Sequence, residues 1–437
     1  MNASVESGSL QRVVGVGALG FNAVNLTIAV GIFGLPAAMA AVLGHAAVIA
    51  YLVCAVLFGL VGLCLAEAGS RVGRTGGLYA YASIPFGPVA GAVAGTLLWA
   101  ASGASASAAI VNLLIDTLST VLPALATPAV RVASIVAIFA VVALINVRGV
   151  RYGVRLSVVM TIIKIAPLVL LAVAGAFHVD PAQLRWTGTP SLASIGDASL
   201  LLFYAFIGVE CALSMSGELV RPARTVPLGI LLGLSIITAL YVGLQLVAQG
   251  TLGDALKDSK APLIDAAKVV FGPWGGGLLL AAMCLSAGGC IAADLLSSPR
   301  VPFAFAEQRQ LPKFVAAVHP RYGTPYVAIL LYAAVCTGLA LSGSFRQLAV
   351  LSSAGTLILY FICCCGVLMM RARNIATEGK PFIVPGGPVV PLLAVGLIIY
   401  LLWHLSAAEL RYTFGFVAIV AAIFAFVAWR NASSHPQ

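Results

Sequence analysis

Apolar residues run along this chain in long blocks, with polar residues gathered into short gaps between them. A block of about 20 apolar residues matches the length of a helix that crosses a bilayer. Twelve blocks are predicted as helices: 14–40, 45–69, 87–111, 131–147, 154–177, 198–218, 227–250, 273–298, 325–342, 347–370, 388–405 and 412–429. The expected fold class is an all-α membrane protein with 12 transmembrane helices. The first block is irregular, because it carries Ala29-Val30-Gly31-Ile32-Phe33-Gly34-Leu35-Pro36. Two glycines followed by a proline are poor company for an unbroken helix. In a bilayer each free backbone N–H or C=O is costly, so irregular backbone persists only where protein, water or a ligand satisfies it. Broken helices of this kind point to substrate sites in secondary transporters. The other reading is that Gly31 and Gly34 only permit close helix packing. Pro36, and a matching glycine at Gly208, favour the break.

Composition supports the membrane reading. Of 437 residues 61% are hydrophobic and 9% charged, against about 25% charged in soluble domains. The net charge is +10, from 24 Lys and Arg against 14 Asp and Glu. A basic balance can signal nucleic acid, but here the bases lie between apolar blocks and bear on topology instead. With the N-terminal tail inside, sixteen fall on the cytoplasmic face, seven on the other, and Lys164 inside a block. That asymmetry follows the positive-inside rule and places both tails, 1–13 and 430–437, in the cytoplasm of a cell-membrane protein. Met1 to Leu10 is polar, so no cleavable signal is expected. Trp186, Trp274 and Trp403 fall near block ends as interfacial anchors. The nine cysteines lie almost wholly within apolar blocks and read as small hydrophobes. Neither a disulfide framework nor a metal site is expected, and no cofactor.

A weak repeat is present. Phe86-Gly87-Pro88 and Phe271-Gly272-Pro273 lie 185 residues apart, and Gly31 and Gly208 lie 177 apart. Each pair is five blocks apart. An odd number of helices per unit forces opposite orientations of two copies in the membrane, the inverted-repeat plan of many secondary transporters.

Several chemical signals are weak. Gly15-Val16-Gly17-Ala18-Leu19-Gly20 fits a dinucleotide fingerprint in spelling only, since it opens a membrane helix rather than following a strand; close helix packing explains it better. No phosphate-binding loop of the G-x-x-x-x-G-K-[ST] type occurs, and the five histidines are scattered. No nucleophile–base pair suggests an enzyme. The charges inside blocks are stronger signals, because each costs about 2.5–3.5 kcal/mol on insertion scales. Three lie well inside: Lys164, Glu210 and Asp294. Glu67 lies near a helix end, where it is expected to reach water. Such groups either pair with one another or mark an ion or substrate path. Burial disfavours the charged form of acid and base alike, which suits Lys164 and Glu210 to exchanging a proton as a site opens and closes. At a mid-membrane break, one half-helix offers free N–H groups to a carboxylate, and the other offers freed carbonyls to an ammonium. The pair suits an α-amino acid. Asp294 bears on the side chain, since an acid there favours a cationic group or a polyamine. Alternatively, it holds the end of its helix through Arg300.

Linked motifs along nearly the whole chain resemble the amino acid–polyamine–organocation (APC) superfamily. They are Gly31-Ile32-Phe33-Gly34-Leu35-Pro36, Ala66-Glu67 with Gly76-Gly77-Leu78-Tyr79-Ala80-Tyr81, and Gly217-Glu218 through Arg224-Thr225-Val226-Pro227. Arg300 to Pro312 and His319-Pro320-Arg321-Tyr322-Gly323-Thr324-Pro325 complete the set. The resemblance implies a LeuT-type fold. Two inverted five-helix repeats, 14–177 and 198–370, would be followed by two additional C-terminal helices over 388–429. It also implies site roles. The substrate carboxylate would meet the N–H groups of Val30 and Gly31 in the turn Ala29-Val30-Gly31. The amino group would meet carbonyls of Thr27, Tyr204 and Ile207 beside Gly208, with Tyr204 as an aromatic gate. Glu210 is similar to the coupling glutamate of arginine/agmatine antiporters. Lys164 resembles the lysine that replaces sodium in sodium-independent members, tethering the first helix to the fifth. Asp294 matches a position that faces the substrate side chain. Many members read Gly-Ser-Gly where this chain reads Ala29-Val30-Gly31, a departure that bears on the tightness of the turn and on selectivity.

The expected function is sodium-independent secondary transport of amino acids by alternating access, proton-linked or by exchange. A polyamine or other organic-amine carrier is the alternative within transport. A non-transporting amino acid sensor is the alternative of another class, although the short loops and tails leave no room for a signalling domain. The expected partners are a small-molecule substrate, protons and the lipid bilayer, without nucleic acid, and the chain is expected to act as a monomer or homodimer.

Overall fold

Two of the apolar blocks are not single helices in the computed structural model, which describes residues 15–72, 77–148, 154–186, 188–209, 220, 222–307, 310–376 and 381–433. The side chains of 154–162, 222–223 and 427–433 lie outside that description. The first block divides into α1 (Val16–Thr27) and α2 (Gly31–Leu43), bent by 68° at the break. The helices that follow are α3 (Val48–Val72), α4 (Gly77–Phe86), α5 (Pro88–Thr96), α6 (Ser105–Leu118), α7 (Pro128–Val147), α8 (Val154–Gly175) and α9 (Leu192–Phe206). Then come α10 (Pro222–Leu252), α11 (Pro262–Phe271), α12 (Pro273–Ser297), α13 (Arg300–Glu307), α14 (Tyr326–Ser342), α15 (Phe345–Ala372), α16 (Val389–Trp403) and α17 (Ala407–Ser433). A π-helical stretch, Leu97–Ala104, joins α5 to α6 and carries the third span on to Leu118, past the predicted end at residue 111.

Among the described residues seven helices are long and apolar enough to cross a membrane, and the bent pair makes an eighth. Four shorter apolar helices accompany them: Ile163–His178, Leu192–Phe206, Tyr326–Ser342 and Val389–Trp403. This is a multi-pass, all-helical membrane protein. Side chains on its periphery are apolar, as at Val132, Val136, Val141 and Leu144 on α7. Apolar groups on an outward face suit contact with lipid tails.

The centre is built around α9. Residues Ala198 to Phe206 are buried in succession, as expected of a helix apolar all round. Phe203 and Phe206 meet Phe58 of α3 at ring-centroid distances of 4.6 and 5.6 Å, and α2 and α15 cover other sides. On another flank, α1 lies along α10. Gly20 is what lets them approach, since a Cβ there would stand 3.2 Å from the carbonyl oxygen of Gly229. Helix packing is thus the role of this member of the glycine-rich stretch.

One expectation is corrected here. Glu67, expected to reach water, is fully buried. It accepts from Arg71 Nε (2.9 Å), Arg371 Nε (2.8 Å) and the backbone N–H of Val384 (2.9 Å). Arg71 also donates to the carbonyl of Ile375 (3.2 Å). The acid therefore joins one end of α3, the end of α15 and the segment leading to α16. Sequence position alone places it near a helix end, but the chain folds over that end.

Candidate functional site

The break in the first span lies at Ile28–Val30, just before Gly31, and α2 runs unbroken through Pro36. Ile28 is extended at φ −71°, ψ 96°, and its N–H makes the last α1 bond, to Val24. The carbonyls of Asn25, Leu26 and Thr27 are thereby released from the helical ladder. Each has a destination. Lys164 on α8 donates its ammonium to Asn25 O at 2.5 Å. Leu26 O lies against Gly208, where a Cβ would stand 2.7 Å from it. Tyr241 on α10 directs its hydroxyl at Thr27 O, 3.3 Å away.

The second break follows Phe206. Ile207 is extended (φ −61°, ψ 134°), and Gly208 adopts φ 121°, a region that side chains rarely enter. Gly208 is required twice, by its dihedral and by contact with Leu26 and Thr27. The two breaks therefore touch, backbone to backbone. Tyr241 spans them, for the same hydroxyl lies 3.0 Å from Ala205 O at the end of α9. It is fully buried, and its ring packs on Phe206 at 5.3 Å. Sequence reading missed Tyr241; as a tyrosine in an apolar block it carries no distinguishing signal.

At the start of α2, the first-turn N–H groups of Gly31 and Ile32 have no intrahelical partners, and Phe33 N turns back to Val30 O at 3.0 Å. Val30 is buried in a helical conformation, so its bulk is accommodated without opening the turn. Gly31 faces Tyr204: a Cβ there would lie 2.9 Å from the ring's Cε1. Tyr204 is buried, donates to Ala106 O at 3.0 Å and meets Phe345 edge-on at 5.9 Å. Thr27 is also buried, and its Oγ1 has no hydrogen-bond partner among the described residues.

Asp294 on α12 stands next to this group through α6. Ala106 holds Tyr204, and its neighbour Ser107 donates to Asp294 Oδ2 at 2.5 Å. Tyr332 on α14 donates to the same oxygen at 2.7 Å, and Ser298 donates to Oδ1. Among the described residues Asp294 has no ion pair, with Arg300 or any other base. Its described partners are all hydroxyls. Thr27, Ala29, Val30, Gly31, Tyr204, Ile207 and Gly208 are thus drawn to one place, with Lys164 and Asp294 beside it. Glu210 lies outside the described residues.

The profile of the amino acid permease family matches residues 14–429. The chain belongs to that family. It is 29% identical over 381 residues to the serine/threonine exchanger SteT of Bacillus subtilis (strain 168), covering 85% of this chain and 86% of that one. It is 25% identical over 421 residues to that organism's methylthioribose transporter (93% and 91%), and 25% over 415 residues to its branched-chain amino acid permease BcaP (91% and 89%). The family and these relatives are membrane transporters.

Proposed function

We propose that this permease carries α-amino acids across the cell membrane by alternating access around the two touching breaks. The observation that carries the reading is the contact of Gly208 with Leu26 and Thr27. It supports a site in which the N–H groups at Gly31 and the terminal carbonyls of α1 and α9 lie together, so that opposite ends of a zwitterion would find opposite partial charges. Val30 and Gly31 take the carboxylate, and carbonyls near Thr27, Tyr204 and Ile207 take the ammonium. The two relatives named for amino acids support this choice. The relative named for methylthioribose keeps the substrate range wider.

The four shorter apolar helices, added to the eight spans, support a count of twelve and the LeuT-type inverted repeat with two further helices. The charge asymmetry supports both termini in the cytoplasm. Lys164 on Asn25 O supports sodium-independent transport, because an ammonium there satisfies a carbonyl that a metal ion would otherwise meet. Coupling to protons or exchange would then rest on Lys164 and Glu210.

Asp294 favours a second reading of the substrate. A carboxylate without a cationic partner among the described residues, near Tyr204, suits a substrate with a second amine, a basic amino acid or a polyamine. Radiolabelled uptake into liposomes tests both, with a panel of neutral and basic amino acids and polyamines, with and without a pH gradient. Uptake of none of them would defeat the proposal.

A further inference from the structure

Helix α10 carries a line of polar side chains that leads away from the site described above. Tyr241, Gln245 and Gln249 recur every four residues, so they lie along one face. All three are at most 3% exposed. The line begins at Tyr241, whose hydroxyl meets the terminal carbonyls of both broken helices. One turn on, Gln245 accepts from Tyr51 of α3 at 3.0 Å. One turn further, Gln249 Nε2 lies 3.1 Å from His45 Nδ1 and 3.4 Å from Gln183 O. His45 Nδ1 is also 2.6 Å from Gln183 O. His45 follows α2 and borders a cavity of about 190 Å³ lined also by Trp186 and Ser194. The line therefore runs from the breaks to the end of the bundle that the proposed orientation puts outside.

Two atoms in this line are unpartnered among the described residues, and they are complementary. Gln245 Nε2 is a buried donor without an acceptor, and Gln249 Oε1 a buried acceptor without a donor. Side chains one turn apart are neighbours, about 5–6 Å apart at Cβ, and a water between the two amides would accept from the first and donate to the second. Thr27 Oγ1, at the other end, is unpartnered as well. Leaving such groups bare in a membrane interior is costly. No described acid or base other than His45 bonds to any member of the line.

We propose that this face of α10 is a water-bridged proton path from the cavity at His45 to the paired breaks. A proton entering at His45 is passed along by waters held on Gln249 and Gln245. Each carrier accepts one proton on the outer side and releases one on the inner side. The Tyr241 hydroxyl passes its own proton on at the breaks and takes the next from the water beside it, and Lys164, once it has released its proton inward during the transport cycle, is the base that receives it. The glutamines hold the waters and do not themselves change protonation. This rests on the proposal that transport is proton-linked.

The first test needs no substrate. Hydroxyl-radical footprinting of the reconstituted protein in ¹⁸O water reports water beside side chains that bulk solvent cannot reach. Tyr51 and Tyr241 should be labelled, and the Gln245→Leu/Gln249→Leu variant should lose most of that label. No label on either tyrosine in the wild type overturns the path. The second test compares substrate-driven proton influx, read by a trapped pH dye, with counterflow exchange of labelled substrate at equal pH. The double variant should lose influx at least tenfold and keep counterflow within twofold, which also shows that it is folded. Equal loss of both, or loss of neither, overturns the path. A wild type that exchanges substrate without moving protons overturns the path alone, whereas a wild type that carries nothing overturns the transport proposal with it.

Discussion

Gly208 and Leu26 touch backbone to backbone: a methyl group on Gly208 would stand 2.7 Å from the carbonyl oxygen of Leu26. Gly208 also holds φ 121°, which costs any other residue about 1–3 kcal/mol. Gly208→Ala is therefore expected to push the two broken helices apart and to reduce uptake at least tenfold. Its thermal unfolding midpoint should fall, and nearly normal uptake would show that the breaks need not touch.

Gly31 makes the same point on the side of the ring. Gly31→Ala places a methyl group 2.9 Å from Tyr204 Cε1, so the ring must swing and give up its bond to Ala106 O. Uptake should fall through a raised KM, because the first-turn N–H groups lose their cover. Tyr204→Phe keeps the ring and loses only that bond, worth about 0.5–1.5 kcal/mol, so its effect should be much smaller. The order of the two variants in KM is the check.

Lys164 fills a carbonyl freed by the first break. Lys164→Ala removes the ammonium from Asn25 O, and a sodium ion is the natural substitute at such an oxygen. Uptake by this variant is expected to drop and to recover in part with sodium. Full sodium-free transport by the variant would end the idea that Lys164 stands in for the metal.

Asp294 can be separated from the backbone site. Asp294→Asn keeps an acceptor for Ser107 and Tyr332 but removes the charge. The KM for basic amino acids or polyamines should rise at least tenfold and that for neutral amino acids change less than twofold. Equal effects on both classes would mean that Asp294 holds α6, α12 and α14 together rather than reading the side chain.

Glu67 concerns stability. It is fully buried between Arg71 and Arg371, and Glu67→Ala would leave two guanidinium groups facing each other. Breaking a buried pair in this way costs about 3–5 kcal/mol. The midpoint of thermal unfolding in detergent should fall sharply, and an unchanged midpoint would contradict the role of the cluster as a clasp.

Much of this was legible in the sequence for a physical reason. Length and apolarity dictate spanning helices, and glycines and a proline in such a helix announce a break, so Gly31 and Gly208 stood out. The turn Ala29-Val30-Gly31 came with the family resemblance, and the chain unwinds at Ile28–Val30, while Pro36 lies within α2. Lys164 was visible as a charge among apolar residues, and its partner Asn25 O was not, since a freed carbonyl has no sequence signature. Tyr241, Ser107 and Tyr332 were invisible for a similar reason: hydroxyl-bearing residues are ordinary in apolar helices, and only packing turns them toward Thr27 O or Asp294. Glu67 was misread as solvated because its cover comes from residues more than 300 positions away.

The most direct measurement of the paired-break site compares three forms of one molecule as competitors. Take the best substrate from the uptake panel, its decarboxylated amine, and its deaminated acid, each competing for labelled uptake. A site built from N–H groups at Gly31 and carbonyls near Thr27 predicts strong inhibition by the zwitterion alone, with the other two weaker by at least tenfold. Equal inhibition by the decarboxylated amine would contradict it, for the N–H groups at the first break would then have no part in binding.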